Sequence, residues 1–108
     1  MKGLKDQVII VTGGAGGIGG ATCKRLAQEG AKVAVFDMNL AAAQQVVDEI
    51  KNAGGTALAV QCDITNKQVV DQSIVITEAE LGAIDGLVNN AGWDIFKPFL
   101  KSTPDEWE

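Results

Sequence analysis

Short apolar runs alternate with amphipathic stretches along most of the chain. Four runs rich in β-branched residues predict strands, and three stretches with apolar residues at helical spacing predict helices between them. The predicted strands are Val8–Val11, Lys32–Asp37, Thr56–Asp63 and Ile84–Asn89. The predicted helices are Ile18–Glu29, a second that follows the capping residue Asn39 and stops at Gly54, and a third that begins with a capping box at Thr65 and stops at Gly82.

This alternation of strands and helices with short connections predicts an α/β fold with a parallel sheet. The strand order expected for a dinucleotide-binding, Rossmann-type sheet is 3-2-1-4. With that order, the first two helices cover one face of the sheet and the third covers the other. The ligand site then lies beyond the carboxyl ends of strands 1 and 4, where the strand order reverses.

The last residues of the sequence have the pattern of a further helix start. Thr103 suits the N-cap, Pro104 suits the first helical position, and Glu106 completes a capping box. The sequence ends two residues later, at Glu108. We therefore expect residues 1–108 to form the N-terminal part of one dinucleotide-binding domain, truncated after the start of this helix, with the catalytic C-terminal part absent.

A glycine-rich loop, Thr12–Gly19, follows the first predicted strand and opens the first predicted helix. A helix N-terminus has unpaired backbone N–H groups and a partial positive charge, so it attracts an anion. The spacing Gly14-x-Gly16-x-x-Gly19 matches the general dinucleotide fingerprint. Asp37 ends the second predicted strand, 18 residues after Gly19, where a carboxylate is placed to bind a ribose hydroxyl. Together these features predict a dinucleotide site.

Composition and charge narrow the possible functions. The formal net charge is −5 with no histidine, which argues against a nucleic-acid partner. No apolar run approaches the roughly 20 residues that a membrane-spanning helix needs, and the start of the chain lacks a signal-peptide pattern. We therefore expect a cytoplasmic protein that does not bind a membrane. Cys23 and Cys62 have no metal-binding spacing, so we expect buried free thiols and no metal site.

Four motifs stand in order along nearly the whole chain. They are Thr12-Gly13-x-x-x-Gly17-x-Gly19, Asp37, Cys62-Asp63-Ile64 and Asn89-Asn90-Ala91-Gly92. Together they resemble the motifs of the short-chain dehydrogenase/reductase family. In the register of that family Gly13, Gly17 and Gly19 are the important glycines, and the match of Gly14 and Gly16 to the general fingerprint is incidental.

The resemblance implies a doubly wound, NAD(P)-dependent oxidoreductase that interconverts a secondary alcohol and a ketone, and it implies a role for each matched residue. These residues are Gly13, Gly17, Ile18 and Gly19 for the pyrophosphate, Asp37 for the adenosine ribose, Asp63 and Ile64 for the adenine, and Asn89, Ala91 and Gly92 for the ribose and nicotinamide side. The segment Trp93–Phe99 would border the substrate mouth. It is similar to members that act on cyclic or aromatic secondary alcohols, including a 2-hydroxycyclohexane-carboxyl-CoA dehydrogenase.

Asp37 makes NAD(H) the expected cofactor rather than NADP(H). Its carboxylate would repel a 2′-phosphate, and no Lys or Arg stands at positions 14–16 or 38–39 to neutralise that phosphate. Simpler structural roles are open for the same residues. Asp37 suits a solvated strand end, Asp63 suits a helix-capping turn with Thr65, and Asn89 and Asn90 suit a turn after a strand.

The sequence departs from the family at the catalytic residues. The family uses a Tyr-x-x-x-Lys pair further along the chain, and these 108 residues contain no tyrosine, so no catalytic residue is assigned. The main hypothesis is the NAD(H)-binding portion of an oxidoreductase that forms a homo-oligomer or joins a complementing chain. The alternatives are a non-catalytic half-Rossmann module that binds a nucleotide and acts with a partner chain, or another Rossmann enzyme such as an epimerase or methyltransferase. The Asn89–Gly92 motif argues against the methyltransferase.

Overall fold

Strands and helices alternate through residues 3–90, the part of the chain that the computed structural model describes. The elements are, in order, β1 (Val8–Thr12), α1 (Gly17–Gln28), β2 (Lys32–Asp37), α2 (Leu40–Asn52), β3 (Thr56–Gln61), α3 (Lys67–Leu81) and β4 (Ile84–Asn89). The strands pair in parallel in the order β3-β2-β1-β4, which confirms the predicted fold class and strand order. No helix among these elements is long and apolar enough to cross a membrane.

Alternate side chains of the two central strands, β1 and β2, supply two separate hydrophobic cores. One core lies between the sheet and helices α1 and α2 and contains Ile9 and Val35. The other lies between the sheet and α3 and contains Ile10 and Phe36. Because helices cover both faces, all five residues of β1 are buried, which accounts for its unbroken run of β-branched side chains.

The pairing of β1 with β4 contains one bulge. Val8 pairs with Ile84 and Ile9 pairs with Gly86, so Asp85 is the extra residue. Its Oδ2 accepts a hydrogen bond from the amide of Val8 at 2.8 Å, so this donor is satisfied next to the register shift. Beyond the bulge the register is regular, and it brings the carboxyl ends of the two strands level with each other.

Several element boundaries differ from the predicted ones. β1 continues to Thr12, and α1 begins at Gly17 and ends at Gln28. The prediction that β3 reaches Asp63 is wrong, because the strand ends at Gln61 and the Asp63 side chain accepts hydrogen bonds in a turn. The predicted helix start at Thr103 lies outside the described residues.

The N-cap of α3 is also different from the predicted one. Asn66 occupies the cap, and its side chain accepts a hydrogen bond from the amide of Val69 at 3.2 Å. The hydroxyl of Thr65 instead donates to Oδ1 of Asp63 at 2.6 Å. The predicted capping box at Thr65 is therefore wrong by one residue, because the carboxylate two positions earlier uses the threonine hydroxyl.

Both cysteines are free and buried, as predicted. Burial desolvates their thiolates, so it raises the pKa of Cys62 and raises the pKa of Cys23 from its ordinary 9.0 to about 12. Cys23 packs under the loop between β1 and α1, where its Sγ lies 3.6 Å from the carbonyl oxygen of Gly14. The neutral thiol is therefore the form that the folded state favours.

We predict that the free energy of unfolding falls as pH rises above about 9, in part because of Cys23. The unfolded thiol ionises near its ordinary pKa of 9.0, whereas the folded thiol keeps its proton up to about pH 12. The stabilisation is thus complete below pH 9 and is lost as pH rises through the folded value. Urea denaturation between about pH 8 and pH 10.5 should show a steeper decline for the native protein than for Cys23→Ala. Identical slopes for the two proteins would contradict this account.

Candidate dinucleotide-binding site

The loop that connects β1 to α1 turns sharply at Gly13. The φ angle of Gly13 is 63°, in the left-handed region that favours glycine. The amide of Gly14 donates to the carbonyl of Phe36 at 3.2 Å, and the amide of Gly16 donates to the carbonyl of Gly13 at 3.3 Å. The first bond ties the loop to the end of β2, and the second closes the turn immediately before α1.

Two glycines of the loop are required by close packing. A Cβ atom on Gly19 would overlap the carbonyl oxygen of Gly13 and would lie 3.0 Å from the Cα of Gly14. A Cβ atom on Gly14 would lie 2.8 Å from Cγ1 of Val35, on the neighbouring strand. This role of Gly14 was not predicted, because the family register makes its match to the general fingerprint incidental; that match was the signal that could have revealed the role.

The start of α1, by contrast, is open. A Cβ atom on Gly17 would meet no atom within 4 Å, and Gly16, Gly17 and Ile18 are all exposed. Within the described chain no side chain caps α1, whereas the side chains of Asn39 and Asn66 cap α2 and α3. The first amides of α1 therefore adjoin free space beside a helix N-terminus, and this arrangement fits a pyrophosphate group.

Asp37 is the last residue of β2, and its carboxylate lies against the glycine loop. Oδ2 accepts a hydrogen bond from the amide of Ala15 at 3.1 Å, and Oδ1 accepts one from the amide of Asn39 at 2.9 Å. The side chain is partly buried, in contrast to the exposed Met38 that follows it. The structure thus brings together the loop and the acid that the sequence placed 18 residues after Gly19.

Asp63 and Ile64 lie in the turn between β3 and α3. Oδ1 of Asp63 accepts hydrogen bonds from the amide and the hydroxyl of Thr65, at 2.9 and 2.6 Å. These bonds hold the pKa of the Asp63 carboxyl below its usual value, because they stabilise the charged form. Asp63 lines a shallow depression together with Met38, and Ile64 packs against the core under α3. The two residues therefore stabilise the turn before α3. Asp63 also lies close to Met38, the residue that follows β2.

Asn89 stands at the end of β4, directly opposite Thr12. The buried hydroxyl of Thr12 donates to Oδ1 of Asn89 at 2.6 Å, and the amide of Asn90 donates to the carbonyl of Thr12 at 3.2 Å. The contact of Thr12 with Asn89 was not predicted from the sequence, because only the strand register shows that the two residues are neighbours. Ala91 and Gly92, also predicted for this side of the site, lie outside the described residues.

The predicted site residues that the structure describes lie at or just beyond the carboxyl ends of the four strands. Residues 12–19 contain no Lys or Arg, so the positive potential at the loop comes from backbone amides and the α1 dipole. Lys24, further along α1, is engaged with Glu49 of α2 at 2.7 Å. In the described residues no cluster of three or more His, Cys, Asp or Glu side chains could hold a metal ion.

Comparison with known proteins identifies a family and individual proteins that are similar to this chain. The family model described as short chain dehydrogenase matches residues 7–108. A cyclopentanol dehydrogenase from Comamonas is 40% identical over 108 residues, which is 100% of this chain and 43% of that protein.

Solved structures of short-chain dehydrogenases and related oxidoreductases have the same fold as the described residues. The hydroxysteroid dehydrogenase from Escherichia coli superposes with a TM-score of 0.81 at 43% identity, covering 84% of this chain and 39% of that one. An oxidoreductase from Haemophilus influenza, whose structure contains bound NAD, superposes with a TM-score of 0.80 at 32% identity, covering 82% of this chain and 32% of that one.

The chain spans less than half the length of these relatives. The match nevertheless extends over the glycine loop, Asp37, the turn at Asp63 and the end of β4, in order. The family is one of oxidoreductases that generally use NAD or NADP. From its fold, its loop geometry and the extent of the match, the chain belongs to the short-chain dehydrogenase family.

Proposed function

We propose that this chain is the NAD(H)-binding portion of an oxidoreductase that interconverts a secondary alcohol and a ketone. Membership of an oxidoreductase family supports the reaction type. The names of two relatives, a cyclopentanol dehydrogenase and a hydroxysteroid dehydrogenase, support a cyclic secondary alcohol as the substrate class.

The described residues fit a dinucleotide. The open space at Gly17, next to helix amides without a side-chain cap, would receive the pyrophosphate, with Gly13, Ile18 and Gly19 completing the contact surface. Asp63 and Ile64 would border the adenine. Asn89 would lie on the side of the nicotinamide ribose. When bound, NAD supplies the acceptor for the hydride that leaves the alcohol.

The position of the Asp37 carboxylate is the observation that carries the preference for NAD(H). It is partly buried at the end of β2, and it contacts the loop that would hold the pyrophosphate. An adenosine ribose bound next to that loop would place its 2′ position near a fixed negative charge. A hydroxyl there can donate a hydrogen bond to the carboxylate, whereas a phosphate would be repelled.

The residues of this chain bind and orient rather than transfer protons. Removal of the alcohol proton needs a positioned base, and the 108 residues contain neither histidine nor tyrosine. We therefore place the acid–base group outside residues 1–108.

We predict opposite effects for alanine at two glycines of the loop. Gly17→Ala should leave the thermal midpoint unchanged or slightly raised, because its methyl group meets no atom and alanine favours a helix. The same variant should bind NAD(H) roughly tenfold more weakly, because the methyl group occupies the open space at the helix start. Gly19→Ala should lower stability by about 1–3 kcal/mol through overlap with the backbone of Gly13.

Thermal denaturation and calorimetric titration with NAD(H) on the full-length protein would measure both effects. If Gly17→Ala binds NAD(H) with native affinity, the start of α1 is not the pyrophosphate site.

We predict that replacing Asp37 by Ala and Met38 by Arg together shifts cofactor preference toward NADP(H). The change removes the repelling carboxylate and supplies a cation for the 2′-phosphate. We expect the ratio of the two dissociation constants to shift by about tenfold to a hundredfold, as for a charge-assisted hydrogen bond gained and a repulsion lost. Calorimetric titration of the full-length protein would measure it, with Asp48→Ala as a control for loss of an exposed carboxylate elsewhere. Native protein that binds NADP(H) at least as tightly as NAD(H) would refute this reading of Asp37.

We predict that a polypeptide of residues 1–108 alone does not turn over cyclic or aromatic secondary alcohols with NAD⁺. Acid–base catalysis typically contributes about 10² to 10⁴ in rate, and this polypeptide contains neither the tyrosine of the family's Tyr-x-x-x-Lys pair nor a histidine. The assay follows NADH absorbance, with the full-length protein as the positive control and intact-mass measurement to confirm the sample. Sustained turnover by the confirmed 108-residue polypeptide would place a catalytic group within this chain.

A further inference from the structure

The end of β2 holds two consecutive amides of the glycine loop. The carbonyl of Phe36 accepts from the amide of Gly14 at 3.2 Å, and Oδ2 of Asp37 accepts from the amide of Ala15 at 3.1 Å. The second oxygen of Asp37 is itself held by the amide of Asn39 at 2.9 Å. The carboxylate of Asp37 therefore does not point freely into solvent, and one of its oxygens holds an amide of the glycine loop.

Beyond these two bonds, the amide of Gly16 donates to the carbonyl of Gly13, and Gly19 packs closely against Gly13. Gly16 and Gly17 are exposed, and α1 begins without a side-chain cap from the described residues. The amides expected to meet the pyrophosphate are therefore positioned by the bonds at Gly14 and Ala15 together with the packing of Gly19 against Gly13. The bond to Gly14 comes from the backbone, so Asp37 is the side chain on which this support depends.

We propose that Asp37 is a positioning residue for the pyrophosphate subsite, in addition to its contact with the adenosine ribose. This inference rests on the proposed function. A carboxylate has two oxygens with about four acceptor positions, so one amide bond at each oxygen leaves acceptor capacity for the ribose hydroxyls. One side chain then couples the ribose and phosphate subsites: it recognises the first directly, and it acts on the second through the backbone of Ala15.

Electrostatics alone predicts the opposite effect of Asp37 on an anion. A negative charge beside the loop repels pyrophosphate, so a carboxylate that bound only ribose would weaken pyrophosphate binding. Its removal would then leave binding of inorganic pyrophosphate unchanged or make it tighter. If Asp37 positions the loop, its removal makes pyrophosphate bind more weakly, despite the lost repulsion.

The test measures binding of inorganic pyrophosphate, which contains no ribose, to the full-length native protein, Asp37→Ala and Asp37→Asn. We expect Asp37→Ala to bind about fivefold to tenfold more weakly, the scale of one typical hydrogen bond. Asp37→Asn should bind with intermediate strength, because its single amide oxygen can accept from Ala15 or from Asn39 but cannot replace both carboxylate oxygens. Asp48→Ala, which removes an exposed carboxylate on α2, should leave binding unchanged.

Amide hydrogen exchange of the ligand-free protein tests the support itself. Exchange at Ala15 should accelerate in Asp37→Ala and accelerate less in Asp37→Asn, while Gly14, held by Phe36, stays protected in both. Pyrophosphate binding to Asp37→Ala at native strength or tighter would overturn the inference, as would native exchange at Ala15 in that variant. Failure of the native protein to bind NAD(H) would instead overturn the proposed function, and the exchange result would still report the contact.

Discussion

The close approach of α1 to the end of β1 is the contact on which the rest of the site depends. Gly19, in the first turn of the helix, lies so near the carbonyl of Gly13 that no side chain fits between them. This contact places the helix N-terminus directly beyond the strand and leaves its first amides next to open space. The side-chain-free surface of Gly14 then lets the loop settle against Val35 of β2. The absence of a side chain at Gly14 and at Gly19 thus permits the close packing of the loop and the helix start against the sheet.

Sequence patterns were sufficient to predict the layers and strand order but not the local polar contacts. The unbroken β-branched run of β1 predicts a strand covered on both faces, and the two cores confirm this. The cap of α3 was misplaced because Asp63, Thr65 and Asn66 can all accept bonds from backbone amides, and propensity does not rank them. The outcome depends on the Thr65 hydroxyl, which bonds to Asp63 and leaves the cap to Asn66.

Contacts between residues that are distant in sequence could not be predicted for a different reason, because they depend on strand register. The bond from Thr12 to Asn89 spans 77 positions and follows from the register of β1 against β4, which includes the bulge at Asp85. The bond from Ala15 to Asp37 likewise depends on the register of β1 against β2, in which Thr12 pairs with Phe36 and Asp37 follows beside the loop. The glycine spacing also gave no means of separating three requirements: a left-handed φ at Gly13, close packing at Gly14, and free space at Gly17.

The proposed anion site has no cationic side chain in its loop, so attraction of an anion depends on the backbone. The chain carries a formal charge of −5, residues 12–19 contain no Lys or Arg, and the carboxylate of Asp37 lies beside the loop. A helix N-terminus contributes only about 0.3–1 kcal/mol toward a nearby anion, so misdirected amides would leave little net attraction. Binding under these conditions requires donors that are already in place, which lowers the entropy lost when the ligand arrives. Asp37 adds repulsion through its charge, but it also fixes the Ala15 amide, and the packing of Gly14 and Gly19 fixes the loop on either side. In the proposed pyrophosphate site, rigid backbone geometry thus takes the role that a basic side chain has in many phosphate sites.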